Sequence, residues 1–210
     1  MAHPPRLTPL QHDAIVEIFN IGIGQAAAVM SSMVNEEVIL SVPSVYFFSR
    51  RELSQYLNKE SVRNVCGVVQ HFQGIFNADT VLLFPEDKSL ELVRLMVGDT
   101  MPHEQMSEME QEAMTEIGNI ILNACISAIA SLFRGEFTSS LPVFHAGSFS
   151  NILQLDVTPS DGQHEDDVVL MLLIDFKLES KSIHGHVAFM LDAPSFDDFI
   201  AQVDHFIHNR

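Results

Sequence analysis

Asp13, Glu17, Asn20 and Pro43 recur as Glu112, Glu116, Asn119 and Pro142, so the same polar positions return at one offset of 99 residues. In each copy 22 residues separate the asparagine from the proline. A duplication of this size restricts the fold to two equivalent units that must bury their apolar faces against each other. Each Glu and Asn lie three apart inside an apolar run, a spacing that puts both on one side of a helix. Core positions persist in any duplication. Matched polar residues on an outer face do so only for a reason, which makes Glu17, Asn20, Glu116 and Asn119 the candidate site.

The period of the first copy predicts a helix from Leu10 to about Asn35, after a loose start marked by Pro4, Pro5 and Pro9. With Asp13 at 0°, helix geometry puts Glu17 near about 40° and Asn20 near about 340°. Ile15, Phe19, Ala26 and Met33 gather at about 200° to 240°, on the opposite side. The second copy predicts a helix from about Ser107 to Phe133, with Glu112, Glu116, Asn119 and Asn123 on one side and Met114, Ile121, Cys125, Ala128 and Leu132 on the other. Gly135 suits its end. Strand patterns follow each helix: Val38 to Ser49, Val62 to Phe76 and Asp79 to Phe84, then Thr138 to Ser148, Asn151 to Val157, Val168 to Leu178 and Gly185 to Leu191. Short helices at Ser89 to Met96 and Ser195 to His205 close the halves. Pro43 and Pro142 read as structural, fixed-φ residues where the chain meets a strand edge.

These elements predict an α/β (α+β) fold. The expected form is one pseudo-two-fold domain over residues 1–210, built from two helix-β-β-β-helix repeats at about 9–98 and 107–207. A continuous β-sheet carries the two long motif helices packed together on one side. Asp99 to Glu110 reads as a linker, and the acidic stretch from Pro159 to Asp167 as a surface loop.

Composition removes several functions. The 28 acidic and 11 basic residues leave a formal charge of −17, which repels a phosphate backbone and argues against nucleic acid as a partner. Hydrophobic residues make up 47% of the chain and mean hydropathy is +0.17, ample for a packed core. The N-terminal residues lack a signal-peptide pattern, and no apolar run is expected to reach the roughly 18 residues of a membrane span. Cys66 and Cys125 sit in apolar stretches as reduced, buried thiols, consistent with a cytoplasmic protein. No metal motif, P-loop or Cys-x5-Arg pattern is present; His184 and His186 share a strand face but lack further ligands.

The stretch from Glu17 to Ala27, with Glu116-Ile117-Gly118-Asn119-Ile120, resembles the helix signatures of the CheC, CheX and FliY phosphatases of bacterial chemotaxis. That family's motif runs Asp or Ser, three residues, Glu, two residues, Asn, 22 residues, Pro. The first copy matches throughout; the second carries Glu112 at its leading position. Two motifs in one chain look like CheC and not CheX, which has one and dimerises, so a monomer is implied.

The resemblance implies hydrolysis of the aspartyl phosphate on a CheY-type response regulator. Asn20 and Asn119 are then expected to position the attacking water, a task for a neutral amide beside an anion. Glu17 and Glu116 are expected to grip a cationic side chain of the receiver, with Asp13 and Glu112 assisting in docking. The chain needs no cofactor of its own, since the receiver is expected to bring Mg²⁺. Two alternatives remain at this point: a non-catalytic module that binds a response regulator, the deamidase CheD or the flagellar switch, and a glycosidase-like pairing of Glu17 with Glu116.

Overall fold

The computed structural model describes residues 7–49, 52–53, 64–97, 108–153, 168–178 and 181–208. Helix α1 (Pro9–Val34) leads into β1 (Val38–Ser49), β2 (Val65–Gly74), β3 (Asn77–Pro85) and α2 (Glu86–Val97). The second half runs α3 (Glu108–Phe133), β4 (Phe137–Ser139), β5 (Val143–Gly147), the single turn α4 (Phe149–Ile152), β6 (Val168–Leu178), β7 (Lys181–Leu191) and α5 (Ala193–His208).

All strand pairs are antiparallel and the order is β1-β6-β7-β3-β2-β4, with β5 also on β2. This order shows how the halves combine. β2 and β3 of the first half meet β7 and β6 of the second at the β3–β7 seam, while the opening strand of each half crosses to the other. β1 pairs with β6, and β4 and β5 pair with β2. Neither half holds its own first strand, so the two form one sheet.

Each opening strand carries one extra residue at the same place. In β1, Ser41 faces Asp175 and Ser44 faces Leu173, leaving Val42 and Pro43 opposite Ile174 alone, a β-bulge. Ninety-nine residues on, the strand parts into β4 and β5. Ser139 faces Phe72 and Val143 faces Val69, so Ser140, Leu141 and Pro142 stand opposite only Gln70 and His71. A proline with no N–H to lend to the ladder marks both irregularities.

α1 and α3 pack on one face of the sheet, within a core that also takes in α5. Their approach is close because of Gly22, where an added Cβ would lie 2.8 Å from Cys125 Cα and 3.0 Å from the Ala124 carbonyl oxygen. Gly118 does the same for α3 against β2, where a Cβ would meet the Val68 side chain. A smaller cluster on other side chains of the sheet joins Val65, Val81, Leu83, Val169 and Met171 with Ile152 and Leu153.

Several expectations need correction. Pro9 belongs to α1 as its first residue, and Thr8 caps it by a reciprocal capping box with Gln11. Met33 is 55% exposed, because burial along α1 ends at Met30 and the last turn stands clear of the core. α3 ends through Arg134, whose φ is 53°, and not through a left-handed Gly135. A glycine stands at 135 because a Cβ there would strike Ile75.

Thr138 to Ser148 is two short strands, and the strand predicted from Asn151 starts instead as the turn α4; its remainder lies outside the described residues. Glu110 is no linker residue: it is buried in the first turn of α3, with its Oε1 3.4 Å from Arg94 Nε of α2. Most of the predicted linker and the acidic loop lie outside the described residues. α1 and α3 are both long and apolar enough, by length and composition alone, to cross a membrane, contrary to the reading of the apolar runs. Their apolar faces are spent on the core, and both carry polar stripes outside.

Candidate functional site

On α1 the stripe lies outward: Asp13 and Asn20 are exposed and Glu17 is half-buried, while Ile15, Ile18, Phe19 and Ile23 face in. On α3, Glu112 and Glu116 are exposed and Asn119 and Asn123 are half-buried, opposite Met114, Ile121 and Cys125. Both stripes therefore ride on rigid core helices. His12 Nδ1 lies 3.8 Å from the Asp13 carboxylate.

The 22-residue spacing has a physical meaning in the first half. A bulge removes Val42 from the ladder, and its backbone N–H must find another acceptor. Asn20 Oδ1 accepts it at 3.1 Å, while Asn20 Nδ2 donates to the Val16 carbonyl at 2.9 Å. The motif asparagine thus closes the gap that Pro43 helps to open. Val42 itself is buried, at 3% exposure.

In the second half the equivalent contact is absent. Leu141, the counterpart of Val42, is 85% exposed, and Asn119 turns to side chains instead. Asn123 Nδ2 lies 2.7 Å from Asn119 Oδ1, 2.8 Å from the Asn119 carbonyl and 3.1 Å from Gln70 Oε1. Gln70 in turn donates from Nε2 to the Ser140 carbonyl at 2.9 Å, inside the break between β4 and β5. Ser140 is also held by His71 of β2, through its hydroxyl at 3.0 Å and its N–H at 2.9 Å.

Sequence reading placed Asn123 on the stripe without a role and missed Gln70. The available signal for Gln70 was an amide inside the apolar strand Val68-Val69-Gln70-His71-Phe72. Burial of such a group, at 2% exposure, requires hydrogen-bonding partners. Among the described residues no group of three or more His, Cys, Asp or Glu side chains could hold a metal ion; His184 is exposed, with its Nδ1 2.6 Å from Asp175. Both thiols are free and buried, and burial pushes Cys125 up to about 12.

The chain thus presents one antiparallel sheet with two outward Glu/Asn stripes on its paired helices. No family model matches the chain. The curated relatives include the CheY-P phosphatase CheC of Bacillus subtilis, 23% identical over 192 residues, which are 90% of this chain and 90% of CheC. They also include the flagellar motor switch phosphatase FliY of the same organism, 23% identical over 82% of this chain and 43% of FliY. Among solved structures, Thermotoga maritima FliY superposes with a TM-score of 0.74 at 17% identity, over 98% of this chain and 99% of that one. The FliM middle domain of H. pylori gives 0.65 at 11% identity, over 93% and 99%. Over most of its length the chain is similar to CheC and FliY, and it shares the fold of FliY.

Proposed function

We propose that the chain hydrolyses the aspartyl phosphate of a CheY-type response regulator. The observation that carries this reading is the pair of outward Glu/Asn stripes at equivalent positions of two core helices, in a chain whose relatives include proteins named for that activity. In this reading the Glu17 and Glu116 carboxylates hold a cationic side chain of the receiver, flanked by Asp13 and Glu112. The Asn20 and Asn119 carboxamides hold water in line with the departing aspartyl oxygen. A carboxamide suits this because it both donates and accepts without adding negative charge beside the phosphoryl group. Mg²⁺ belongs to the receiver, and the chain works in the cytoplasm as a monomer.

The test is phosphate loss from a phosphorylated CheY-type receiver with Mg²⁺, with and without the protein. Acceleration is expected, and Asn20→Ala combined with Asn119→Ala should return the receiver to its unassisted rate. Unchanged turnover in that double variant would sink the mechanism. The FliM-like fold favours a second reading, in which the chain docks on a receiver, on CheD or in the flagellar switch without turnover. Tight binding of the phosphorylated receiver with no acceleration would select it.

A further inference from the structure

The two sites differ in what stands behind the motif asparagine. Counting by the shared offset, Asn123 of the second half corresponds to Gly24 of the first. The strand registers align Gln70 with Ile174: both lie opposite the extra residue of the crossing strand, Gln70 one residue before His71 and Ile174 one before Asp175, members of the cross-strand pairs His71–Asp79 and Asp175–His184. The second site thus has an amide pair where the first has Gly24, with open space beside it, and Ile174, fully buried. The second site is also composite, since Gln70 comes from the first half and backs the asparagine of the second.

Hydrogen-bond direction through the amide pair is determined from its buried end. The Ser140 carbonyl only accepts, so Gln70 must turn Nε2 toward it and Oε1 toward Asn123. Asn123 must then present its NH₂, which meets Asn119 Oδ1 at 2.7 Å. With its oxygen tied inward, Asn119 has its own NH₂ left to offer. Asn20 also has its oxygen tied, by the Val42 backbone N–H, but its NH₂ is engaged too, donating to the Val16 carbonyl.

We propose that Gln70 and Asn123 are positioning residues of the second site, a chain of oriented amides that determines which end of the Asn119 carboxamide faces the receiver. The inference rests on the phosphatase reading for its kinetic consequence, and its structural content is separate. Neither residue touches the phosphoryl group. Their effect belongs to turnover and not to docking, which stays with the carboxylates.

The experiment uses the full chain in an Asn20→Ala background, so that turnover reports the second site alone. Asn123→Asp, which cannot donate to Asn119, should lower kcat by about 10-fold with KM unchanged. Gln70→Ile with Asn123→Gly, which copies the first half, should do the same while retaining the fold. Gln70→Glu, isosteric but unable to donate to the Ser140 carbonyl, should fall with them. The side-chain NH₂ resonances of Asn119 in ¹⁵N-labelled protein should shift in all three variants. Unaltered kcat, or a rise in KM alone, overturns the proposal. Should the Asn20→Ala protein show no turnover at all, the phosphatase reading fails for this site and the resonances decide: Asn119 signals unmoved by Asn123→Gly also overturn the proposal.

Discussion

The two halves carry one motif and solve the same backbone problem differently. In each, the opening strand crosses to the other half's sheet and holds one residue too many beside the motif proline. The first half keeps that residue inside, with Val42 buried and its N–H on Asn20. The second ejects it, leaving Leu141 in solvent and freeing Asn119 to join Asn123 and Gln70. A duplicated sequence pattern therefore does not make a duplicated site. The asparagine of the first half is coupled to strand geometry, and that of the second to a polar network.

The largest expected effect separates the two kinetically. Asn20→Ala leaves the second site, with its pre-oriented carboxamide and Glu112 in the leading position, so kcat should stay near the parent while KM rises. Asn119→Ala leaves the first, with Asp13 in place, and there kcat should fall by more than KM changes. Steady-state phosphate release across receiver concentrations reads both. Equal kcat and KM in the two variants would remove the functional side of the comparison.

Next in size is the seam between the halves, where two glycines of one helix should respond with opposite signs. At Gly22 a methyl group would press on backbone atoms of Ala124 and Cys125, so Gly22→Ala should cost about 1–3 kcal/mol. Gly24 faces open space on the same helix, and Gly24→Ala should stabilise by about 0.5–1 kcal/mol, because alanine loses less backbone freedom on folding. Urea midpoints of the two variants measure this directly. Two shifts of one sign would mean that the helices do not meet at Gly22.

A smaller asymmetry should appear when each motif asparagine becomes an apolar isostere. Asn20→Leu leaves the buried Val42 N–H without its acceptor and should cost about 1–2 kcal/mol. Asn119→Leu leaves Asn123 with two other acceptors, the residue 119 carbonyl and Gln70, so its cost should stay below about 0.5 kcal/mol. Equal losses would show that both asparagines serve their strands alike.

What the sequence made legible followed from periodicity. β1 and β6 matched their predicted ends, and the outward stripes on α1 and α3 came from the 3.6-residue repeat. Contacts that depend on the partner half stayed hidden. Nothing local says that β1 leaves its own half for β6, that Glu110 is buried against Arg94, or that Gln70 backs an asparagine 49 positions away. The spacing of Asn20 to Pro43 was visible as a number, but its cause needs the bulge, a property of two strands together. The end of α3 misled for a related reason: a glycine after a helix suggests a left-handed cap, yet Gly135 answers to a neighbouring side chain.

The smallest expected effect concerns the helix seam, where Cys125 stands opposite Gly22 and its counterpart in the first half is Ala26. Burial raises this thiol from 9.0 to about 12, because a thiolate between two apolar helices would lack solvation. With the folded value above the unfolded one, the thiol's contribution to stability is fully present below about pH 9 and is lost as pH rises toward about 12. The unfolded chain releases its proton first, and that release favours unfolding. Cys66 is raised as well, also by burial, so the parent protein alone cannot assign the effect. Cys125→Ala isolates it. The variant should start slightly less stable at pH 8, for loss of the sulfur's contacts, and the gap to the parent in urea midpoint should close and then reverse as pH rises to 11. A gap that stays constant over that range would mean the seam admits water to Cys125, and with it that Gly22 does not bring the two motif helices into close contact.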